Sequence, residues 1–343
     1  MNRLRRALLK LPLAAAAGWS GLAAAASDRR PWHLPDGTFA NNYGSVNDSR
    51  FFQAMQRLFS HGLPPLVSFP TAPVEPGQFD VTDGQPKITW IGQATFLIQI
   101  GGLNILTDPH FSERVFPMPF FGTTRGTPPG RSLDQLPEID LVLISHNHYD
   151  HLDVGTIDLL RARSRKTKYL VPLRLKEWFA ADDDVTEHDW WEGGELAGVR
   201  FFAVPAQHSS FRSGLDVNKT LWCSWVIEVA GRRLLFVGDS GYTLDYRDIG
   251  AKFAGFDLAI LPIGSYRPRS LSLVKDSHQN PAEAAQARRD LGARRAVASH
   301  WGTFRLSLEP MEEPPQKLAE ALADANEDED VFWVMQHGET RVW

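Results

Sequence analysis

The chain has 343 residues, 43% of them hydrophobic and 22% charged, with a formal net charge of −5. It is too long and too apolar for a disordered tail, and a single cysteine closes no intrachain disulfide, which excludes a disulfide-stapled miniprotein. The mildly acidic balance excludes a non-specific nucleic-acid binder, which needs surplus Lys and Arg to neutralise phosphates. It leaves room for one anionic substrate.

Met1–Ala26 carries Arg3, Arg5, Arg6 and Lys10 and no acid, then an apolar stretch from Leu11 that ends in small Ala-rich residues. That layout predicts an export signal rather than part of the fold. The Arg5-Arg6-x-Leu8-Leu9-Lys10 run is similar to the twin-arginine signal of bacteria, although Leu4 stands where Ser or Thr is usual. The expected destination is the bacterial periplasm. The alternative is an inner-membrane anchor by an uncleaved signal, but Leu11–Ala26 falls short of the ~20 residues of a spanning helix. Cleavage would remove four of the 36 basic residues and none of the 41 acidic ones, taking the charge from −5 to −9.

Residues 27–86 are rich in Pro and Gly and read as an N-terminal arm wrapping a core, with one helical stretch beginning at Ser49. Residues 87–343 form the expected catalytic domain. Ile88–Ile100 alternates apolar and small or polar residues, Gly101-Gly102 supplies a tight turn and Leu103–Leu106 returns, a hairpin signal. A loop from Phe111 to Pro129 carries Phe116, Met118, Phe120 and Phe121, either tucked into the core or presented as an apolar surface.

Four apolar runs follow: Ile139–Ser145, Val199–Pro205, Arg233–Gly238 and Arg294–Ser299. A helix precedes the last, with Asn280 as N-cap, Pro281 at its first position, Glu283 completing a capping box and Gly292 ending it. A further amphipathic helix is expected over Lys317–Ala325. Strands interleaved with helices predict a layered α/β fold.

Each of those four runs ends in a metal-ligand type of residue, namely His146, His208, Asp239 and His300. The first delivers His146, His148, Asp150 and His151 within six residues, too many polar groups for ordinary core packing. Five His and two Asp suit two metal positions if a carboxylate bridges them. Asp239 is the expected bridge, with His146, His148 and His208 on one metal and Asp150, His151 and His300 on the other. A nitrogen and oxygen donor set favours two Zn²⁺ ions, with Fe or Mn as alternatives.

His-x-His-x-Asp-His after a hydrophobic strand resembles the metallo-β-lactamase superfamily. Within it the chain resembles the N-acylphosphatidylethanolamine-hydrolysing phospholipase D family, through ITWIGQATFLI, ILTDPHFSERV, LISHNHYDHLD, DWWE, VPAQH, GDSGY, FDLAILPIGSYRPR and SHWGTF. The resemblance implies a four-layer αββα sandwich and zinc-dependent hydrolysis of a phosphodiester in an N-acylated phospholipid. All seven ligand positions match. It further implies His278 as a phosphate contact or general acid. Asp150 is read as a catalytic group as well as a ligand, and Tyr266 and Arg269 of GSYRPR as phosphate contacts, with a structural arginine paired to an acid as the alternative. Asp108, at the end of ILTD, is read as orienting a ligand histidine from behind.

Two zinc ions against two carboxylates and a hydroxide leave about one positive charge, which suits a phosphodiester monoanion. The competing readings are a lactonase or β-lactamase on the same fold and a non-catalytic metal-binding scaffold. A phospholipid or other small phosphodiester is the expected partner. Peripheral membrane contact and a homodimer stay open, and no nucleic acid is expected.

Overall fold

Period-two burial organises the strands. In Leu141-Val142-Leu143-Ile144, Leu141 and Leu143 join one apolar cluster while Val142 and Ile144 join another on the opposite face. A sheet with two apolar faces must be covered on both, and the chain supplies a cover for each.

The computed structural model describes residues 32–43, 62–80, 84–116, 122–213, 215–267 and 277–343. The expected export signal, the helix expected from Ser49, most of the Phe116–Phe121 segment and Arg269 lie outside them. The strands are β1 (Lys87–Gly92), β2 (Thr95–Ile100), β3 (Leu103–Thr107), β4 (Arg114–Val115), β5 (Thr123–Thr124), β6 (Leu141–Leu143), β7 (Lys168–Pro172) and β8 (Asp184–His188). They continue with β9 (Gly193–Leu196), β10 (Val199–Val204), β11 (Ser224–Val229), β12 (Arg232–Phe236), β13 (Phe256–Pro262), β14 (Ala293–Ser299), β15 (Phe332–Trp333) and β16 (Thr340–Val342). The helices are α1 (Val154–Arg163), α2 (Asp245–Phe253), α3 (Pro281–Asp290) and α4 (Glu313–Asp324).

Two seven-stranded mixed sheets result, ordered β16-β1-β2-β3-β6-β7-β8 and β15-β14-β13-β12-β11-β10-β9. Trp90, Phe96, Ile98 and Leu143 of the first pack in one core with Phe201, Trp225, Leu235 and Ile260 of the second. Fully burying a side chain of that size contributes roughly 1.5–3 kcal/mol. Ile157 and Leu160 of α1 cover the outer face of the first sheet, while Ile249, Ala284 and Leu318 of α2, α3 and α4 join the core of the second. The fold is the expected α/β sandwich of αββα layers.

The hairpin turn falls at Gly101-Gly102, both at positive φ. The stretch before it differs from the expectation of one strand. Ile88–Ile100 is two antiparallel strands, because the chain reverses at Gln93, whose φ of 51° is left-handed. Helix α3 carries the expected capping box, with Asn280 accepting from Glu283 N at 2.9 Å and Glu283 from Asn280 N at 2.9 Å. The amphipathic helix begins earlier than expected, at Glu313. No described helix is long and apolar enough to cross a membrane.

Candidate metal centre

The ends of β6, β10, β12 and β14 converge, so one sheet supplies His146, His148, Asp150 and His151 and the other supplies His208, Asp239 and His300. Gly238 makes that approach possible. A Cβ there would lie 2.4 Å from that of Ser145, and its φ of 67° also favours glycine. Trp225 Nε1 donates to Ile144 O at 2.8 Å and Cys223 N to Ser145 O at 2.9 Å, locking the second sheet to the segment that starts the histidine loop.

Within the loop, His146 Nε2 lies 2.8 Å from His148 Nδ1, and His208 Nε2 lies 3.1 Å from that same Nδ1. Three imidazole nitrogens thus face one point. In the second group, Asp239 Oδ2 lies 3.1 Å from both His151 Nε2 and His300 Nε2, and Asp150 Oδ2 lies 3.3 Å and 3.1 Å from them. Asp239 Oδ2 also lies 3.9 Å from His208 Nε2, so one carboxylate oxygen stands between the groups. The seven side chains fall into a group of His146, His148 and His208 and a group of Asp150, His151, Asp239 and His300, and Asp239 also groups with His208 and His278.

The set fits a pair of cations. Tetrahedral zinc with bonds of about 2.0–2.1 Å holds its nitrogen donors roughly 3.4 Å apart, close to the spacings here. Among the described residues, buried Asp239 Oδ1 has no hydrogen-bond partner, an expensive state unless something binds it. Burial pushes His148 down to about 4 and His146 and His208 well below the ordinary histidine range, leaving neutral imidazoles ready to ligate. Burial also disfavours charge on His300, but Asp239 and Asp150 outweigh it and push it up to about 9. His151 is raised in the same way, and burial of Asp150 and Asp239 is outweighed by His151 and His300, which hold both acids well below the usual carboxylate range. The two carboxylates thus favour positive charge between them, and a bound cation would take the place of the protons on His151 and His300.

The ring orientations are fixed from behind. Asp108 Oδ2 lies 2.6 Å from His151 Nδ1 and accepts from Ser145 Oγ at 2.6 Å, while Oδ1 accepts from Ser145 N at 2.7 Å. Ser145 Oγ in turn lies 2.8 Å from His146 Nδ1, and Ser277 O lies 3.0 Å from His208 Nδ1. Each of these three rings is left with Nε2 facing the centre. Asp108 and His300 both adopt left-handed φ, at 31° and 60°, strain typical of a site held by its surroundings.

His278 is at the rim, part-exposed, with Nδ1 3.8 Å from Asp239 Oδ2. Tyr266 differs from the expected phosphate contact. Its hydroxyl donates to Glu313 of α4 and its backbone N–H to Glu309, so it fastens a helix and does not join the converging groups.

Two supporting residues escaped the sequence reading. Gln93 Nε2 donates to Asp150 Oδ2 at 2.9 Å while its carbonyl accepts from His300 N at 3.1 Å, steadying two groups of one set. Arg212 Nη1 donates to Asn147 O and Leu152 O, at 2.9 and 2.7 Å, and its guanidinium lies over the rings of Tyr149 and Trp178, which clamps the histidine loop at both ends. Neither belongs to a recognisable ligand motif.

Residues 103–301 match the Beta-lactamase superfamily domain, and the chain belongs to that superfamily. It is a metal-dependent hydrolase of the metallo-β-lactamase fold. More narrowly, it is 38% identical over 253 residues to the N-acyl-phosphatidylethanolamine-hydrolyzing phospholipase D 1 of Caenorhabditis elegans, covering 70% of each chain. An uncharacterized protein of Mycobacterium tuberculosis is 39% identical over 265 residues, covering 74% of this chain and 70% of the relative. A metallo hydrolase from Ignicoccus hospitalis shares the fold at a TM-score of 0.56 and 21% identity, over 76% of this chain and 98% of that one.

Proposed function

We propose that this protein is a dinuclear zinc phosphodiesterase of phospholipase D type, acting on N-acylphosphatidylethanolamine or a related phosphodiester. The observation that carries the reading is Asp239 Oδ2, shared between a three-histidine group and an Asp150–His151–His300 group. The worm relative, whose name states that activity, supports the substrate class.

His146, His148 and His208 would hold one ion, Asp150, His151 and His300 the other, and Asp239 both. When bound, such a pair supplies Lewis acidity and a water acidified to a pKa of about 7. The protein's own residues do the rest. Asp150 Oδ2, fixed by Gln93, stays on the His151–His300 side, where it would hold the second ion and orient the attacking water. Burial pushes His278 down to about 4, so at neutral pH it is an uncharged imidazole suited to donating one N–H to a phosphoryl oxygen. Phe211 beside His148, and Phe116 against Tyr149, give the rim an apolar side on which acyl chains can rest. Export to the periplasm, resting on Met1–Ala26, is the matching cellular reading.

The test is metal analysis of the purified chain alongside hydrolysis of N-acylphosphatidylethanolamine, bis-p-nitrophenyl phosphate, a lactone and nitrocefin, each with and without chelator. Chelator-sensitive turnover of the two phosphodiesters is expected. Turnover of only the lactone or nitrocefin would overturn the reading in favour of a carbonyl substrate.

A further inference from the structure

Residues 32–43 precede the superfamily match by some sixty residues, yet they reach the metal centre. The carboxamide of Asn41 closes on the backbone of His208: its Nδ2 donates to His208 O at 2.9 Å, and its Oδ1 accepts from His208 N at 3.0 Å. Both polar groups of one ligand's peptide are thus satisfied by one side chain, as a neighbouring strand would satisfy them. His208 needs this. Strand β10 ends at Val204, so no ladder holds the chain where the ring is presented.

Asn41 is itself held. Buried Trp222 donates from Nε1 to Asn41 Oδ1 at 3.1 Å. On one side of Asn41, Phe39 N donates to Asn218 O at 2.9 Å and Trp32 Nε1 to Asp189 Oδ1 at 2.9 Å. On the other, Asn42 Nδ2 donates to Asp245 Oδ1 and the Tyr43 hydroxyl to Asp248 Oδ2, each at 2.8 Å. The segment is strapped from the Asp189 turn to helix α2, with Asn41 at the strap's contact with the centre.

We propose that Asn41 is a positioning residue for the His146–His148–His208 metal position, and that this segment is a working part of the centre. The inference rests on the two-metal reading above. It predicts an asymmetry, because the one expected ligand that Asn41 hydrogen-bonds among the described residues is His208, while Gln93 supports the Asp150–His151–His300 group independently. Loss of a partner that orients a ligand typically weakens metal affinity about 10–100-fold.

The full chain, stripped with chelator, is titrated with zinc against a chromophoric competitor, comparing wild type, Asn41→Ala and Asn42→Ala. Wild type should bind two equivalents. Asn41→Ala should keep one at native affinity and weaken the other roughly tenfold or more. Asn42→Ala cuts the strap's bond to Asp245 and leaves the His208 clamp, so it should lower Tm with both affinities intact. Should Asn41→Ala fail to fold, Asn41→Ser is read the same way. Native affinity for both equivalents in the Asn41 variant, or equal weakening of both, overturns the inference. A wild-type chain that binds one equivalent overturns the two-metal reading instead, and Asn41 is then judged by whether that single affinity weakens or stays.

Discussion

Asp108 and His151 meet at 2.6 Å, carboxylate oxygen to Nδ1, with both side chains fully buried. The same carboxylate holds Ser145, which faces His146, so one acid 37 residues upstream sets rings belonging to both metal positions. An Asp108→Asn variant keeps the volume but turns an acceptor into a donor facing His151. Zinc affinity should fall about 10–100-fold, read by competition with a chelating dye. Unchanged affinity would show that the histidines orient themselves.

His148 and His278 both lie at the rim, but only His148 has a nitrogen within 3.1 Å of two other ring nitrogens. His148→Ala should lose bound metal and turnover together. His278→Ala should retain the metal content of wild type while turnover falls about 10²-fold or more, the usual scale for a lost proton-handling or oxyanion contact. Metal loss in the His278 variant would move it into the ligand set.

Acid stability tests a different histidine. His337 is buried 4.1 Å from the Trp90 ring centre, and its Nε2 lies 2.9 Å from Thr303 Oγ1. Burial, with Arg125 adding to it, pushes its pKa from the ordinary 6.5 down to about 3. Between those values the unfolded chain binds a proton that the folded chain refuses, so stability falls as pH drops, by about 1.4 kcal/mol per pH unit from this group. His337→Phe should flatten the acid limb of a denaturant-midpoint profile between pH 6 and 4 by one proton. An unaltered slope would contradict the burial of a neutral ring.

The groups at the centre were legible because each sits at the end of a hydrophobic run, where strand geometry leaves a side chain little freedom over which end of the sheet it reaches. The residues that steady them were not. Asn41 lies 167 positions from His208, and Gln93 lies 57 from Asp150, so no local spacing announces either contact. Gln93 also hid the reversal between β1 and β2. Gly92 at φ 141° shares the reversal, while the left-handed φ of Gln93 is held from outside, by Thr303 Oγ1 on its N–H at 2.7 Å and His300 N on its carbonyl. Tyr266 misled in the opposite direction. GSYRPR suits a phosphate loop by composition, but Glu313, 47 positions later, claims the hydroxyl.

The pairing of β1 with β16 has a consequence in time. Thr89 faces Thr340 across 251 positions of sequence, so the first strand of the first sheet must wait for the last described one. At roughly 5–20 residues per second, a ribosome takes about 10–50 s to deliver that partner. Throughout that interval a nascent β1 offers an open edge to any other extended chain. A chaperone that shields this edge until synthesis reaches Val342 should raise the yield of folded protein more than one acting on the finished chain.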